Sequence, residues 1–312
     1  MRRFPAAVVF SQWRHTVAAK CAARVETRYS RVLTPQANSE QQKQPPRVSV
    51  VVVSRNRAAM LRRCLESIEA SDGRASLQVI VVDNGSSDGS AQLGDDFPEV
   101  QFIRLPKNFG LTKALNLGWR AADAEYVFFL HDDTEVQPTT VGLLAGALDT
   151  HADSAAVCPL LVDGEGRPAP QLGTLPPTGV WRPATPGAPV AVEFPRGAAL
   201  MLRVYFIKAI RQIDERYGQF GSDADLAAEI RRASRKILLV PAGLVRHEGR
   251  SGYSAMEAAD FLSSRAVFMG KYHGFGAGIG ARITAVLSGL AGFRLGELKY
   301  TLAGQKIDGT QE

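Results

Sequence analysis

The sequence predicts an α/β fold, an α/β/α three-layer domain around a mainly parallel central sheet. Two apolar runs lead to it: Gln78-Val79-Ile80-Val81-Val82, which closes on Asp83, and Tyr126-Val127-Phe128-Phe129-Leu130, which closes on His131, Asp132 and Asp133. Runs so rich in β-branched and aromatic residues belong to strands buried on both faces. The third observation is their alternation with segments of helical spacing over short connections, which builds right-handed βαβ units. Ligands of open α/β sheets bind outside the carboxyl ends of the strands. Carboxylates at two strand exits therefore face one crevice. Acid clustered there suits a base or polyol held by hydrogen bonds and a divalent cation carrying a diphosphate, as in a nucleotide-sugar site.

The elements follow in order. Residues 34–46 form a polar, Pro-flanked linker without core-forming side chains. The fold starts at Val48–Val53, a continuous β-branched strand. A helix follows with Leu61, Cys64, Leu65 and Ile68 on one face. Strand 78–82, a turn at Asn84-Gly85-Ser86-Ser87-Asp88-Gly89, a weaker strand over Val100–Arg104, a helix over Leu111–Ala122 and strand 126–130 come next. Leu143–Leu148 reads as helix and Ala156–Val162 as strand. Asp163 to Pro189, rich in Gly and Pro, reads as a long loop and a flap over the site. Beyond it lie a strand over Ala198–Arg203, a helix over Asp225–Ala233, and a strand over Ile237–Val240 ended by a Pro241-Ala242-Gly243 turn. Ile283, Val286, Leu287, Leu290 and Phe293 have helical spacing, on an amphipathic surface helix or one docked on the domain. The chain divides into a basic extension and linker (1–46), a central domain (47–254) and a helical C-terminal region (255–312).

Charge is uneven. Residues 1–47 hold nine Lys/Arg against Glu26 and Glu40, residues 265–312 hold six against three acids, and 48–264 carry 22 basic and 26 acidic residues. No basic stripe with interleaved aromatics crosses the middle, which argues against nucleic acid. Basic ends and the 283–293 spacing point to an anionic membrane surface instead. No apolar run approaches the ~20 residues that span a bilayer, and the short apolar start has no convincing cleavage site. The expected location is the cytoplasm, peripherally on the inner face of its membrane. Cys21, Cys64 and Cys158 are scattered and read as reduced thiols.

Seven segments now carry a resemblance. VVVVSRNR (50–57), VDNGSSDGS (82–90), NFGLTKALNLG (108–118), LHDDTEV (130–136), GAALMLR (197–203), FGSDADL (220–226) and Val245-Arg246-His247 resemble, in order, the family-2 glycosyltransferases of GT-A fold. Bacterial rhamnosyltransferase-like members are the nearest in pattern. The resemblance covers about residues 47–254 and continues more loosely through Arg265–Gly274. It implies an inverting, metal-dependent transfer from a nucleotide-diphosphate sugar donor to a cell-envelope glycan or lipid-linked saccharide acceptor.

It also implies roles. Asp83 accepts hydrogen bonds from the donor base, and Ser54, Arg55 and Asn108 belong to the donor site. His131-Asp132-Asp133 stands at the family's DXD-type motif, with His131 at the ribose position in place of the usual Asp or Asn and Asp132 towards the donor sugar or ribose. Asp133 is then the metal ligand and His247 the late metal-binding histidine, for Mg²⁺ or, since imidazole tolerates it better, Mn²⁺. Asp223 matches the base that takes the acceptor proton. The family's preceding Glu is Ser222 here. The bland alternatives are Asp83 capping its turn, Asp132-Asp133 and Ser222-Asp223 capping helices, and Arg57 as a solvated helix start. A pyrophosphorylase would want a Gly-rich phosphate loop after strand one, and a dinucleotide oxidoreductase would want GxGxxG; neither is present. A non-catalytic glycan-binding or scaffold protein of the same fold is the alternative from another class.

Overall fold

A computed structural model describes residues 45–185, 187–249 and 252–308. The basic extension up to residue 44, with Cys21, lies outside them. In chain order come β1 (Val48–Ser54), α1 (Ala58–Glu69), β2 (Leu77–Asp83), α2 (Leu93–Asp96), β3 (Gln101–Arg104), α3 (Leu111–Arg120), β4 (Tyr126–His131), β5 (Thr134–Val136), α4 (Thr140–Thr150), β6 (Ser154–Val162), β7 (Pro170–Gly173), β8 (Arg182–Pro183), β9 (Val190–Val192), β10 (Phe194–Pro195) and β11 (Ala199–Arg203). They are followed by α5 (Val204–Ala209), α6 (Ser222–Arg232), β12 (Lys236–His247), α7 (Ala255–His273), α8 (Phe275–Ala291) and α9 (Leu295–Leu302).

The main sheet, among the described residues, has the order β3-β2-β1-β4-β11-β6-β12-β5, with β9 on the side of β12. The β-branched runs pair parallel through β3, β2, β1 and β4, and β6 pairs parallel with β12. Strand β11 runs antiparallel between β4 and β6. Alternate side chains feed two cores: Val51, Ile80, Val82 and Phe129 on one face, Val50, Val52, Val81 and Phe128 on the other. Both faces are covered, as the continuous apolar runs require. The predicted stripe of α1, Leu61, Cys64, Leu65 and Ile68, is wholly buried, each large side chain contributing about 1.5–3 kcal/mol of transfer free energy. Burial, joined at Cys64 by the nearby carboxylates of Asp132, Asp133 and Glu135, pushes the thiols of Cys64 and Cys158 up to about 12, so both act as packing groups.

Two elements differ from expectation. The 163–189 loop contains β7 and β8, which join β10 in a small antiparallel sheet. Strands of two to four residues leave no periodicity to read, and Trp181 against Phe194 (ring centroids 4.9 Å apart) helps hold them. Pro241-Ala242-Gly243 is not a strand-ending turn. It lies within β12, where the register against β6 shifts between Val240 and Leu244, a bulge that absorbs the proline. The C-terminal region forms three helices in the same compact unit as the sheet. Helix α7 opens with a capping box, in which the Ser254 hydroxyl accepts from the Glu257 N–H (3.2 Å) and the Glu257 carboxylate accepts from the Ser254 N–H (2.9 Å). Helix α8 crosses it where a Cβ on Gly278 would stand 3.0 Å from Gly270 Cα, so only glycine allows the approach.

Candidate active site

The carboxyl ends of β1, β4 and β12 open on one cleft of about 1110 Å³. Ser54, Arg55, Asn108, His131, Asp132, Asp133, Asp223 and His247 all line it. Parallel pairing of Val53 with His131 sets the first motif beside the fourth, and pairing of His247 with Thr134 sets the last motif beside Asp133. Residues nearly 200 positions apart by number thus share one wall of the cleft. Because β5 follows Asp133 directly and α4 begins only at Thr140, neither aspartate caps a helix.

At the centre, Asp132 and Asp133 are both buried. Asp132 accepts from the Ser54 hydroxyl (2.8 Å), and Arg57 reaches Asp132 and Asp133 at 3.1 Å each. Burial outweighs these partners at Asp132 and pushes its carboxyl up to about 6. At Asp133 the balance reverses. Burial would raise it, but His247, His131 and Arg57 hold it well below the usual carboxylate range. Arg57 is the residue that the sequence left between a helix start and the cleft. Its guanidinium neutralises two adjacent carboxylates that could not otherwise both stay charged.

Asp133 Oδ1 lies 3.3 Å from His247 Nε2 and 3.9 Å from His131 Nδ1. It is buried and accepts no well-aligned hydrogen bond. One nitrogen from each histidine and one oxygen from Asp133 lie within 4.8 Å of one another. An orphaned carboxylate oxygen facing two imidazoles is a donor set that fits a divalent cation, and nitrogen ligands favour Mn²⁺ over Mg²⁺. His131, expected at the ribose position, therefore joins the metal candidates Asp133 and His247. More than a third of its side chain remains accessible, yet the desolvated wall of the cleft pushes its imidazole down to about 4, which leaves the neutral ligating form at pH 7.

Asp223 stands in the first turn of α6 on another side of the cleft. Gly221, at φ +91° and without a side-chain cap, holds the N-cap position, so Asp223 is not the N-cap residue although its carboxylate takes one first-turn N–H. Its carboxylate accepts from the Ala224 N–H (2.8 Å) and, at a long 3.4 Å, from the Gly197 N–H. Burial raises its pKa against the opposing pull of these N–H groups, the direction that makes an aspartate a better base. Two positions on, Asp225 is buried against Lys271 Nζ (2.8 Å) and the hydroxyls of Tyr272 (2.8 Å) and Tyr217 (3.1 Å), which ties α6 to α7.

The nucleotide side is built from turns. Asp83 is buried at the end of β2 and accepts from the Ser86 N–H (3.0 Å), the turn-capping bond. Asp83 stands behind the cleft lining, which Asn84 reaches. Asn108 accepts from Asn84 Nδ2 (3.0 Å) and the Gly110 N–H (2.9 Å), locking the second and third motifs together. The opposite wall is aromatic, and its Tyr253 and Phe261 come from segments the sequence reading did not assign to the site. Phe220 meets Tyr253 and Phe261 edge-on (5.2 and 6.2 Å), and Trp181 brings the predicted flap to the cleft. The capping-box pattern Ser254-x-x-Glu257 was the available signal for the start of this wall.

Comparison with known proteins matches residues 49–201 to the model of Glycosyl transferase family 2. An N-acetylglucosaminyltransferase of Mesorhizobium japonicum is 34% identical over 118 residues, 36% of this chain and 28% of that protein. The Campylobacter jejuni GalNAc(5)-diNAcBac-PP-undecaprenol beta-1,3-glucosyltransferase is 34% identical over 110 residues, 34% of this chain and 33% of that protein. The chain thus spans about a third of the length of these relatives. Among solved structures, GalNAc-T7 with UDP, GalNAc and Mn²⁺ superposes with a TM-score of 0.57 at 19% identity, over 66% of this chain and 43% of that one. S. aureus TarS 1-349 with UDP-GlcNAc gives 0.54 at 17%, over 72% and 66%. At such identities the structural likeness speaks for the fold alone.

Proposed function

Residues 49–201 of this chain belong to Glycosyl transferase family 2, the domain has the GT-A fold, and we propose that the protein is an inverting glycosyltransferase dependent on a divalent cation. It moves a sugar from a nucleotide-diphosphate donor to a glycan or lipid-linked saccharide acceptor of the cell envelope. The observation that carries this reading is the convergence in one cleft of the His131, Asp133 and His247 donor set with Asp223. When bound, the cation neutralises the departing diphosphate, so no protein acid is required. Asp223 takes the proton of the acceptor hydroxyl as that oxygen attacks the anomeric carbon. Ser54 and Arg57 fix Asp132 towards the donor sugar or ribose, and Asn84 and Asn108 hold the turn on which the base rests. Asp83 stands behind that turn with one oxygen on Ser86, and a hydrogen bond from the donor base to its other oxygen is part of this proposal.

The names of the relatives, N-acetylglucosaminyl- and glucosyltransferases, favour those hexoses over the rhamnose suggested by the resemblance. The test is a donor-hydrolysis and transfer screen across UDP-N-acetylglucosamine, UDP-glucose and TDP-rhamnose, each with Mg²⁺, Mn²⁺ or chelator. Turnover of one donor only with metal is the expected result. No turnover of any donor, combined with tight binding of a glycan, would favour the non-catalytic scaffold.

A membrane-surface location on the cytoplasmic side is part of the proposal. On α8, Phe275, Ile279, Ile283, Leu287 and Leu290 repeat every three or four residues and all are exposed, with Phe293 just beyond at 87%. Arg282 and Lys299 are exposed on the same helical region. Apolar side chains flanked by cations fit an anionic bilayer. No helix among the described residues is long and apolar enough to cross a membrane.

A further inference from the structure

The aromatic wall continues, one turn further along α7, into two polar groups that nothing among the described residues satisfies. Ser264 is 2% exposed, and its hydroxyl has no hydrogen-bond partner. The next residue, Arg265, is half-buried, with a buried Nε that also bonds to nothing. Both line the cleft. Buried polar groups are almost always paired, because desolvation without a partner costs on the order of 1–3 kcal/mol, more for a charge.

The carboxylates near Arg265 are occupied elsewhere. Asp260 accepts from the backbone N–H groups of Gln219, Phe220 and Ile307 (3.0, 3.0 and 3.1 Å). Glu257 closes the capping box on Ser254, and Glu297 forms its ion pair with Arg294 at 3.0 Å, with its buried Oε2 still lacking a well-aligned hydrogen bond. No described carboxylate forms an ion pair with Arg265, so its guanidinium faces the cleft as an unused fork of donors. A guanidinium fork matches phosphate oxygens two at a time, and a neighbouring hydroxyl adds a third donor.

Resting on the transferase reading above, we propose that Ser264 and Arg265 form a subsite for a phosphate or diphosphate group carried by the acceptor. On that reading the donor's diphosphate would be held through a cation at the His131, Asp133 and His247 set, on β4 and β12. Ser264 lies on the side of the base instead. A Cβ added to Gly221, two residues before Asp223, would stand 3.0 Å from Ser264 Cβ. Phe261, one turn before Arg265, offers an apolar ring to a saccharide, and Arg265 then meets the anion that follows it. The acceptor class is a saccharide joined to an isoprenoid-like lipid through phosphate.

The test is calorimetry on the full chain saturated with uridine or thymidine diphosphate and Mn²⁺, so that the donor's phosphate sites are filled. Geranyl diphosphate is then titrated against geraniol. The wild type is expected to prefer the diphosphate, and Arg265→Gln to lose roughly 10- to 100-fold of that affinity, as for a lost charged hydrogen bond. Ser264→Ala should lose less, and Arg265→Lys should recover part. Nucleotide diphosphate affinity should stay within about 2-fold in all three, and their melting temperatures should match the wild type. A loss of nucleotide affinity in Arg265→Gln would assign the guanidinium to the donor and overturn the acceptor subsite. Equal wild-type affinity for geranyl diphosphate and geraniol would overturn it as well. A wild type that binds neither nucleotide diphosphate with Mn²⁺ would instead remove the transferase reading, and this subsite with it.

Discussion

Asp223 and Asp133 are aspartates of one cleft whose surroundings push them in opposite directions. Asp133 stays charged because His247, His131 and Arg57 face it; at Asp223 the backbone N–H groups and the nearby Arg196 only partly offset burial. We expect Asp223→Asn to keep the melting temperature and donor affinity while transfer falls by roughly 10²–10⁴-fold, measured as kcat against donor Kd. The base works deprotonated, so a raised pKa places the acid limb of the transfer rate above the range of an exposed aspartate, with activity lost as pH falls through it. A limb unchanged in Asp223→Asn would mean another group is the base. Asp133→Ala should abolish Mn²⁺-dependent donor binding, and His247→Ala should weaken it and shift the preference towards Mg²⁺. Arg57→Met leaves two adjacent carboxylates without their cation. It should cost about 1–3 kcal/mol of stability without metal, and added Mn²⁺ should raise its melting temperature more than that of the wild type.

At the scale of elements, the turn after β2 shows how a motif read for chemistry also solves a backbone problem. Gly85 sits at φ +75°, and a Cβ there would lie 2.4 Å from the Lys107 carbonyl carbon. Gly85→Ala must shift the 107–108 backbone, and with it the Asn84–Asn108 bond. We expect a loss of at least about 1–3 kcal/mol in urea unfolding, from the left-handed strain alone, together with weaker nucleotide binding. Wild-type stability would mean that the turn relaxes freely. Strand β12 carries the other lesson. Ile237–Val240 was legible as a strand, but the continuation to His247 was not, because Pro241 and Gly243 are turn signals unless a neighbouring strand supports a bulge.

For the whole molecule, the exposed ridge of α8 couples the site to a surface. If it lies on an anionic bilayer, a lipid-linked acceptor reaches the cleft from the plane in which it is held. Flotation with anionic vesicles should recover the protein at low salt and release part of it at high salt, since each cation adds roughly 1 kcal/mol at such a surface. Ile283→Glu with Leu287→Glu should abolish flotation with little change in melting temperature, because both side chains are already exposed. Flotation of the double variant at the wild-type level would sink this mode of attachment while leaving the transfer chemistry untouched.

The chain's own order of residues determined the sheet strands and the strand-exit acids. Val48–Val53, 78–82 and 126–130 are apolar over their whole length, and Asp83, Asp132 and Asp133 follow them directly. That information is local, carried by periodicity and by the first polar residue after each run. Tertiary structure alone decided which of those groups meet. The β12–β5 pairing brought His247 to Asp133, the fold of the first motif laid Arg57 across both aspartates, and α7 carried Phe261, Ser264 and Arg265 to the side of the base. None of these has a spacing signature, because each contact joins segments whose separation along the chain is free to vary. The short strands of the flap escaped for a related reason: their stability comes from partners across the sheet, which no window along the sequence contains.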